Sequence, residues 1–351
     1  MAKGKFMLIR EIGMGLWNEI HHVLTQLIIA EIMHRIPVIY WGKGSLYAPA
    51  DGSNAFEQFF LPVSGIGVRD IQKDSFTFSP GCWNASNLLS SNPKKAGMGA
   101  FGVPLADAEI SGVVDTDFMP TDSGNRLLSK SNNAVTSRQN EADGGQEPDC
   151  LLECDAEVCV RDTYIDVEKV IPLIPKGHPL CGLSRRDLFC RLIRKYIRLR
   201  EDVQSFVDEF YNSNMRGATF LAAHVRSSDK AAEVRHLHEL NSRYRVEIEK
   251  ILKANPGMRL FLMTDGLEIL EEYKKRYGNL LVHTDCRRVH KDGQGVHYLD
   301  YPDNRLKGLE IIRDTWLASR CDFFVGNGYS HVSAAVCELK DWEEGSIKLL
   351  Y

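Results

Sequence analysis

The chain has 351 residues, 44% of them apolar and 26% charged, the balance of a globular protein with room for two domains and a sizeable core. A net charge of −4 gives no basic footprint for nucleic acid. The longest apolar-rich stretch, Val23 to Met33, is broken by Thr25, Gln26 and Glu31 and is too short for a membrane span, and the lysine-bearing N-terminus has no apolar core of signal-peptide length.

A cytoplasmic protein is therefore expected, its nine cysteines reading as reduced thiols rather than a disulfide scaffold. Cys150, Cys154 and Cys159 lie close together without the paired CxxC spacing of a zinc site.

In chain order, Phe6 to Ile9 reads as a buried strand and Gly13-Met14-Gly15 as a glycine loop. Trp17 to His34 reads as a helix with Ile20, Val23, Leu24, Leu27, Ile28 and Ile32 at helical spacing, and Pro37 to Trp41 as a second strand. This is a βαβ unit whose glycines let backbone approach a ligand. Asn18 stands where the third glycine of a dinucleotide fingerprint belongs, so a nicotinamide cofactor is disfavoured. Asn18, His21 and His22 are expected in the first turns of the helix, facing the loop, with ordinary helix surface as the alternative for the histidines.

Gly42 to Gly67 is loop-rich, with Tyr47, Asp51 and Asn54 as polar candidates. From about Ser79 to Pro148 Ser, Asn, Gly and Asp dominate and periodicity fades, predicting a poorly ordered insertion. Asp115 and Asp117 within it have the spacing of a Mg²⁺ or Mn²⁺ site that would bridge a diphosphate. Asp162 to Ile174 is strand-like, and Pro172, Pro175 and Pro179 then mark a domain boundary, giving domains 1–178 and 179–351. Ser184 to Arg200 reads as a helix, capped by Ser184 with Asp187 three positions on, and with Leu188, Leu192, Ile193, Tyr196 and Ile197 as its buried stripe. Its other face is basic, from Arg185 to Arg200, either a solvated surface or a contact for an anionic membrane or a lipid-linked acceptor.

Thr219 to Asp229, TFLAAHVRSSD, is an apolar run ending in His224, Arg226 and Asp229, as a strand buried on both faces reads. Helices follow at Leu240 to Lys253, Leu267 to Tyr277, Leu309 to Ser319 and His331 to Leu339, alternating with strands at Arg259 to Met263, Leu280 to Val282 and Phe323 to Val325. That alternation predicts a doubly wound parallel sheet, whose ligands sit at the carboxyl ends of its strands. Three such ends carry polar groups: His224/Arg226, Thr264/Asp265 and Asn327/Ser330, the last in a glycine loop opening a helix, a ready anion site.

Together these residues resemble the fucosyltransferase superfamily of α1,6-fucosyltransferases, rhizobial nodulation fucosyltransferases and protein O-fucosyltransferases, in a bacterial glycosyltransferase branch. The resemblance is carried by HxRxxDK, present as His224, Arg226, Asp229 and Lys230, by the segment Leu309 to Phe324, and by Gly328-Tyr329-Ser330-His331. It implies an α/β fold of two Rossmann-like domains in the GT-B arrangement, with 179–351 holding the nucleotide sugar and 1–178 shaping the acceptor site. By the same resemblance Arg226 holds the β-phosphate of GDP-fucose, His224 lies near the nucleoside, Asp314 recognises guanine and Ser330 belongs to the phosphate loop. Thr264, Asp265 and His331 join the donor side, and Gly13, Gly15, Asn18 and His21 the acceptor side. Where the α1,6 enzymes have a glutamate base ten positions after the motif histidine, this chain has Val234, with Glu233 one position short.

The implied chemistry is in-line displacement of GDP by an acceptor hydroxyl of a glycan, with inversion, without a metal and without a cofactor. Arg226, Lys230 and N–H groups behind Gly328 and Ser330 would stabilise charge on the leaving diphosphate, and Glu233 would take the acceptor's proton. The rivals are a glycosyltransferase with another nucleotide sugar, metal-dependent through Asp115 and Asp117, and a non-catalytic nucleotide- or glycan-binding relative.

Overall fold

The structure, a computed structural model, describes residues 4–90, 151–227, 237–290, 293 and 295–351. Two all-parallel sheets carry these residues. In the first, β1 (Phe6–Arg10) leads through the glycine loop into α1 (Leu16–Ile32), and β2 (Ile36–Tyr40) returns beside it with Leu8 opposite Val38. After a short helix α2 (Val68–Ile71), β3 (Phe78–Ser79) and β4 (Val158–Arg161) complete the order β2-β1-β4-β3.

Two expectations for this half are corrected. The strand lies at Val158–Arg161, before the Asp162 to Ile174 segment, which instead holds two 3-10 turns at Val167–Lys169 and Ile171–Leu173. Pro172 cannot donate to a ladder, and Asp166 caps the first turn by accepting from Glu168 N. The Ser79 to Pro148 insertion also begins too early: Trp83 and Leu88 are buried against Leu8 and Val160. Residues 91–150, with Asp115, Asp117 and Cys150, lie outside the described part.

The second half opens with α3 (Arg185–Tyr196), whose expected cap is present: Ser184 Oγ accepts from Asp187 N at 3.2 Å and donates to its carboxylate at 2.7 Å. Next comes α4 (Glu201–Asn214), then β5 (Phe220–Val225), α5 (Leu237–Ala254), β6 (Arg259–Thr264), α6 (Leu267–Tyr277) and β7 (Leu281–Val282). The chain ends with α7 (Asn304–Ser319), β8 (Phe323–Asn327), α8 (His331–Glu338) and β9 (Ile347–Leu350). The order β7-β6-β5-β8-β9 reverses direction between β5 and β8, and there a parallel sheet opens a crevice for ligand. No helix among the described residues is long and apolar enough to cross a membrane.

One apolar core joins the halves, running from Ile9, Ile20 and Leu24 through Leu188, Leu192 and Val207 to Phe261, Ile312 and Val336. The basic residues of α3 are largely engaged inside the chain. Lys195 meets Glu31 at 2.9 Å, Arg194 meets Asp341 at 2.7 Å, and Arg186 donates to Cys337 O at 3.2 Å.

Gly308 on α7 fits against the fully buried Phe59 of the first half, where a Cβ would stand 2.3 Å from the ring. Alanine normally favours a helix over glycine by about 1 kcal/mol. Here overpacking, typically about 1–3 kcal/mol and more for a contact this close, opposes that gain. Gly308→Ala is expected to lower the urea midpoint; a midpoint above wild type would show that Phe59 does not fix the junction.

Candidate active site

Because all strands of the second sheet run parallel, the loops after β7, β6, β5 and β8 share one edge. Arg226 and Asp265 form an ion pair across the ends of β5 and β6, their side chains 17% and 11% exposed. Asp265 Oδ1 also accepts from Ser227 N at 2.8 Å, fixing the loop that follows the arginine. Thr264 is buried, its hydroxyl accepting from Gly266 N at 3.2 Å. His224 is buried at the end of β5, its Nδ1 2.8 Å from Ser333 Oγ on α8. Burial, aided by the Arg226 charge, lowers its pKa from 6.5 to about 3, so it is neutral at physiological pH and contributes hydrogen bonding rather than charge.

At the end of β8 the sequence places anion contacts behind Gly328 and Ser330, but the loop turns its own donors inward. Gly328 N donates to Leu350 O at 2.8 Å, Tyr329 N to Asn327 Oδ1 at 2.8 Å and Ser330 N to Asn327 O at 3.1 Å. A Cβ on Gly328 would stand 2.2 Å from the Tyr351 ring. The donors left for a ligand are the first-turn N–H groups of α8, which Ser330 caps without a side-chain hydrogen bond, and the buried Asn327 Nδ2, which has no hydrogen-bond partner among the described residues. Asn327 stands at one of the polar strand ends read from the sequence, whereas Ser333, bonded to His224, was missed.

Asp314 stands apart on α7. Its carboxylate accepts from Thr284 Oγ1 at 2.6 Å and has Cys286 Sγ at 3.6 Å, both on the loop after β7. Burial raises its pKa, opposed by the Thr284 hydrogen bond and the Arg313 charge. Each oxygen retains a lone pair for a further donor. Asp229, Lys230 and Glu233 lie outside the described residues. Among the described residues no group of three His, Cys, Asp or Glu side chains could hold a metal ion.

At the first sheet the glycine loop is already occupied. The Glu19 carboxylate accepts from Ile12 N at 2.9 Å, Gly13 N at 2.7 Å and Met14 N at 3.0 Å. The Gly13 donor expected to face a substrate thus faces the protein's own anion. Gly13 adopts φ +79°, the left-handed region in which glycine is at ease. Gly15 opens α1 and Asn18 is half-buried in its first turn. His21 and His22 are buried, which corrects the surface reading. His21 reaches the second half of the chain, its Nδ1 2.7 Å from His331 Nδ1 and its Nε2 2.8 Å from Glu338 Oε2 on α8. No spacing rule links positions 310 apart, so only the fold reveals this pair.

No protein-family model matches the chain, and no curated protein matches it. Solved structures do. NodZ α-1,6-fucosyltransferase soaked with GDP-fucose superposes with TM-score 0.57 at 18% identity, over 96% of this chain and 92% of that one. The fold is that of the GT-B fucosyltransferases. Arabidopsis thaliana FUT1 in complex with GDP gives TM-score 0.54 at 14% identity, over 99% of this chain and 70% of that chain. POFUT1 in complex with GDP-fucose gives 0.51 at 14% identity, over 99% and 98%. The fold class expected from alternating strands and helices is thus present in both halves.

Proposed function

We propose that the protein is an inverting, metal-independent glycosyltransferase that moves fucose from GDP-fucose to a hydroxyl of a glycan or polysaccharide precursor. One observation carries the reading: Arg226, paired with Asp265 at the ends of β5 and β6, shares the ligand edge of a parallel sheet with the first turn of α8 and the buried Asn327 amide. Such a cluster suits a diphosphate, which accepts bidentate guanidinium contacts and helix N-terminal N–H groups. Solved structures of similar fold that hold GDP or GDP-fucose support this reading.

In this reading Arg226, with Lys230 from the adjoining segment, neutralises charge growing on the departing diphosphate. Asp314 accepts from the N1–H and 2-amino group of guanine, which adenine cannot supply in that pattern. Residues 179–351 hold the donor and 1–178 shape the acceptor site. Glu233 is the sequence's candidate base, one position short of the family's glutamate.

The test is calorimetric titration of GDP, UDP, ADP and NAD into the full chain, with and without EDTA. GDP is expected to bind in both conditions, with the others at least about 30-fold weaker, roughly the 2 kcal/mol that losing the guanine contacts to a buried carboxylate costs. Preferred binding of UDP that EDTA abolishes would replace this reading with the metal-dependent one.

A further inference from the structure

The two halves of the chain leave a cavity of about 370 Å³ between them, a volume within the range of small-molecule sites. Ser53, Asn54, Glu57 and Gln58 line it from the first half, and Arg200, Asp202 and Arg305 from the second. Both walls stand on the ligand side of their sheets. Asn54 is tied to the carboxyl end of β2: its Oδ1 accepts from Trp41 N at 2.9 Å and its Nδ2 donates to Ile39 O at 2.8 Å. The helices α4 and α7 run down to the amino ends of β5 and β8, where Phe220 N donates to Asp322 Oδ2 at 2.8 Å. Both therefore begin at the carboxyl edge, and Arg200, Asp202 and Arg305 stand at those beginnings. Along α7, Arg305 precedes Asp314 by about 14 Å of helical rise, which separates the cavity from the carboxylate proposed for guanine.

The walls are held to each other by the same groups that line them. Asp202 Oδ1 accepts from Arg200 Nε at 3.1 Å, and its Oδ2 accepts from Arg305 Nη2. Arg200 Nη1 also donates to Glu57 O at 3.2 Å, and Arg305 Nη2 reaches Gln58 O at 3.4 Å. Asn54 Nδ2 donates to Glu57 Oε1 at 2.9 Å and orients that carboxylate. Two arginines against Asp202 and Glu57 leave the lining without net charge. An anionic ligand would have to displace Asp202 from both guanidinium groups, and an ammonium ligand would meet two guanidinium groups. What remains available is a mixture of donors and acceptors: the other guanidinium N–H groups, Glu57 Oε2 and the Gln58 amide. The Gln58 Nε2 is buried and has no hydrogen-bond partner among the described residues. Neighbouring hydroxyls of a sugar ring donate and accept at once, and so match such a mixture.

We infer that this cavity is a subsite for the acceptor glycan, taking a neutral, hydroxyl-rich sugar residue other than the one that is glycosylated. The inference rests on the proposed glycosyl transfer. The reacting sugar must lie against the diphosphate, yet neither Arg226, Asn327 nor the start of α8 lines the cavity. A sugar seated here therefore belongs to another part of the same glycan. Its hydroxyls would donate to Glu57 and Asp202 and accept from Arg200, Arg305 and Gln58. Because the ion pairs already hold these side chains in place, little ordering is needed when the glycan arrives. The enzyme would thereby prefer an oligosaccharide acceptor to a single sugar, and a neutral one to an acidic one.

The test probes an array of neutral and uronate-bearing mono- and oligosaccharides with the full chain, then titrates the strongest neutral ligand by saturation-transfer NMR. Neutral oligosaccharides are expected to bind, and their component monosaccharides to bind about tenfold more weakly or worse. Ser53→Trp, which fills the cavity from its exposed rim, should weaken the neutral ligand about tenfold or more. Asp202→Asn leaves the two arginines without their shared carboxylate, so the neutral ligand should weaken about tenfold while a uronate-bearing analogue gains. The Asp202 side chain is 51% exposed, and ion pairs this open add little stability, so the variant is expected to fold. Hydrogen exchange on the wild-type chain needs no variant: backbone amides within 53–58 and 200–202 should exchange more slowly with the ligand bound. Binding of uronate-bearing glycans alone, or of no glycan, overturns the inference. So does unchanged affinity in both folded variants, or a bound wild-type chain without that protection. GDP titration of the wild type reports on the donor site by itself, so a failed donor reading and a failed subsite give different results.

Discussion

Arg226→Ala is expected to weaken GDP binding by about 100-fold or more, the cost of deleting a charge-assisted, bidentate phosphate contact at a poorly hydrated position. The arginine is held ready by Asp265, whose other oxygen accepts from Ser227 N at 2.8 Å, so little ordering remains to be done when phosphate arrives. Arg226→Lys should recover only part of the loss, because an ammonium cannot offer the two-pronged donor set. Deleting the guanidinium also strands the Asp265 carboxylate, only 11% exposed, and should cost about 1–3 kcal/mol of stability. Asp265→Asn separates the two effects: it breaks the pair while keeping the guanidinium, so stability should fall while GDP affinity falls far less than in Arg226→Ala. Calorimetry with circular dichroism on each variant reads both. GDP affinity within about threefold of wild type in a folded Arg226→Ala would remove the arginine from the donor site.

What the sequence shows best is what local chemistry decides. The helix Leu267–Tyr277 has the expected bounds, because Gly266 and Gly278 bracket one apolar stripe of Leu270, Tyr273 and Tyr277. The strand ends with His224/Arg226, Thr264/Asp265 and Asn327/Ser330 meet at one edge because a parallel sheet compels it. What stayed hidden depends on distant partners. The helix Glu201–Asn214 buries Val203 and Val207 on one side, but just before it Leu199 pairs with Phe60, far away in the sequence. The four residues of Val158–Arg161 are a strand because β1 lies beside them. Glu19 stands in the first turn of α1, where a carboxylate suits the helix N-terminus. Its capture of the glycine loop required the loop to curl back over it. The resemblance to fucosyltransferases implies a donor loop at Gly328 to His331, yet motif matching cannot say which N–H groups point inward. That distinction moved the candidate anion donors from the loop to the first turn of α8 and Asn327.

Glu19→Gln should give the chain a pH-dependent stability that the wild type largely lacks between about pH 5 and 6.5. Burial raises the Glu19 pKa from 4.5 to about 7, outweighing the N–H groups of Ile12, Met14 and Gly13 that favour its charge. The folded state then binds more protons than the unfolded chain between these values. Its stabilising contribution is complete below 4.5 and is lost as pH rises through about 7. His224 runs the other way. Its folded pKa of about 3 lies below the ordinary 6.5, so its contribution is complete above 6.5 and is lost as pH falls through 3. Each group has a limiting slope of about 1.4 kcal/mol per pH unit, and in the shared window the two slopes oppose each other. With glutamine at position 19 the histidine slope is no longer offset by that carboxyl group, and unfolding free energy should rise by about 2 kcal/mol from pH 5 to 6.5. His224→Asn should show the mirror slope. Urea unfolding of the three proteins across that window measures this directly. Parallel curves for wild type and Glu19→Gln would mean that the glycine loop does not hold a carboxylate whose protonation changes on folding. The two opposing groups sit at the ends of α1 and β5 that face the ligand edges of their sheets. Burying ionisable side chains there is costly, and that cost is tolerated where the loops they hold must keep their shape for a substrate.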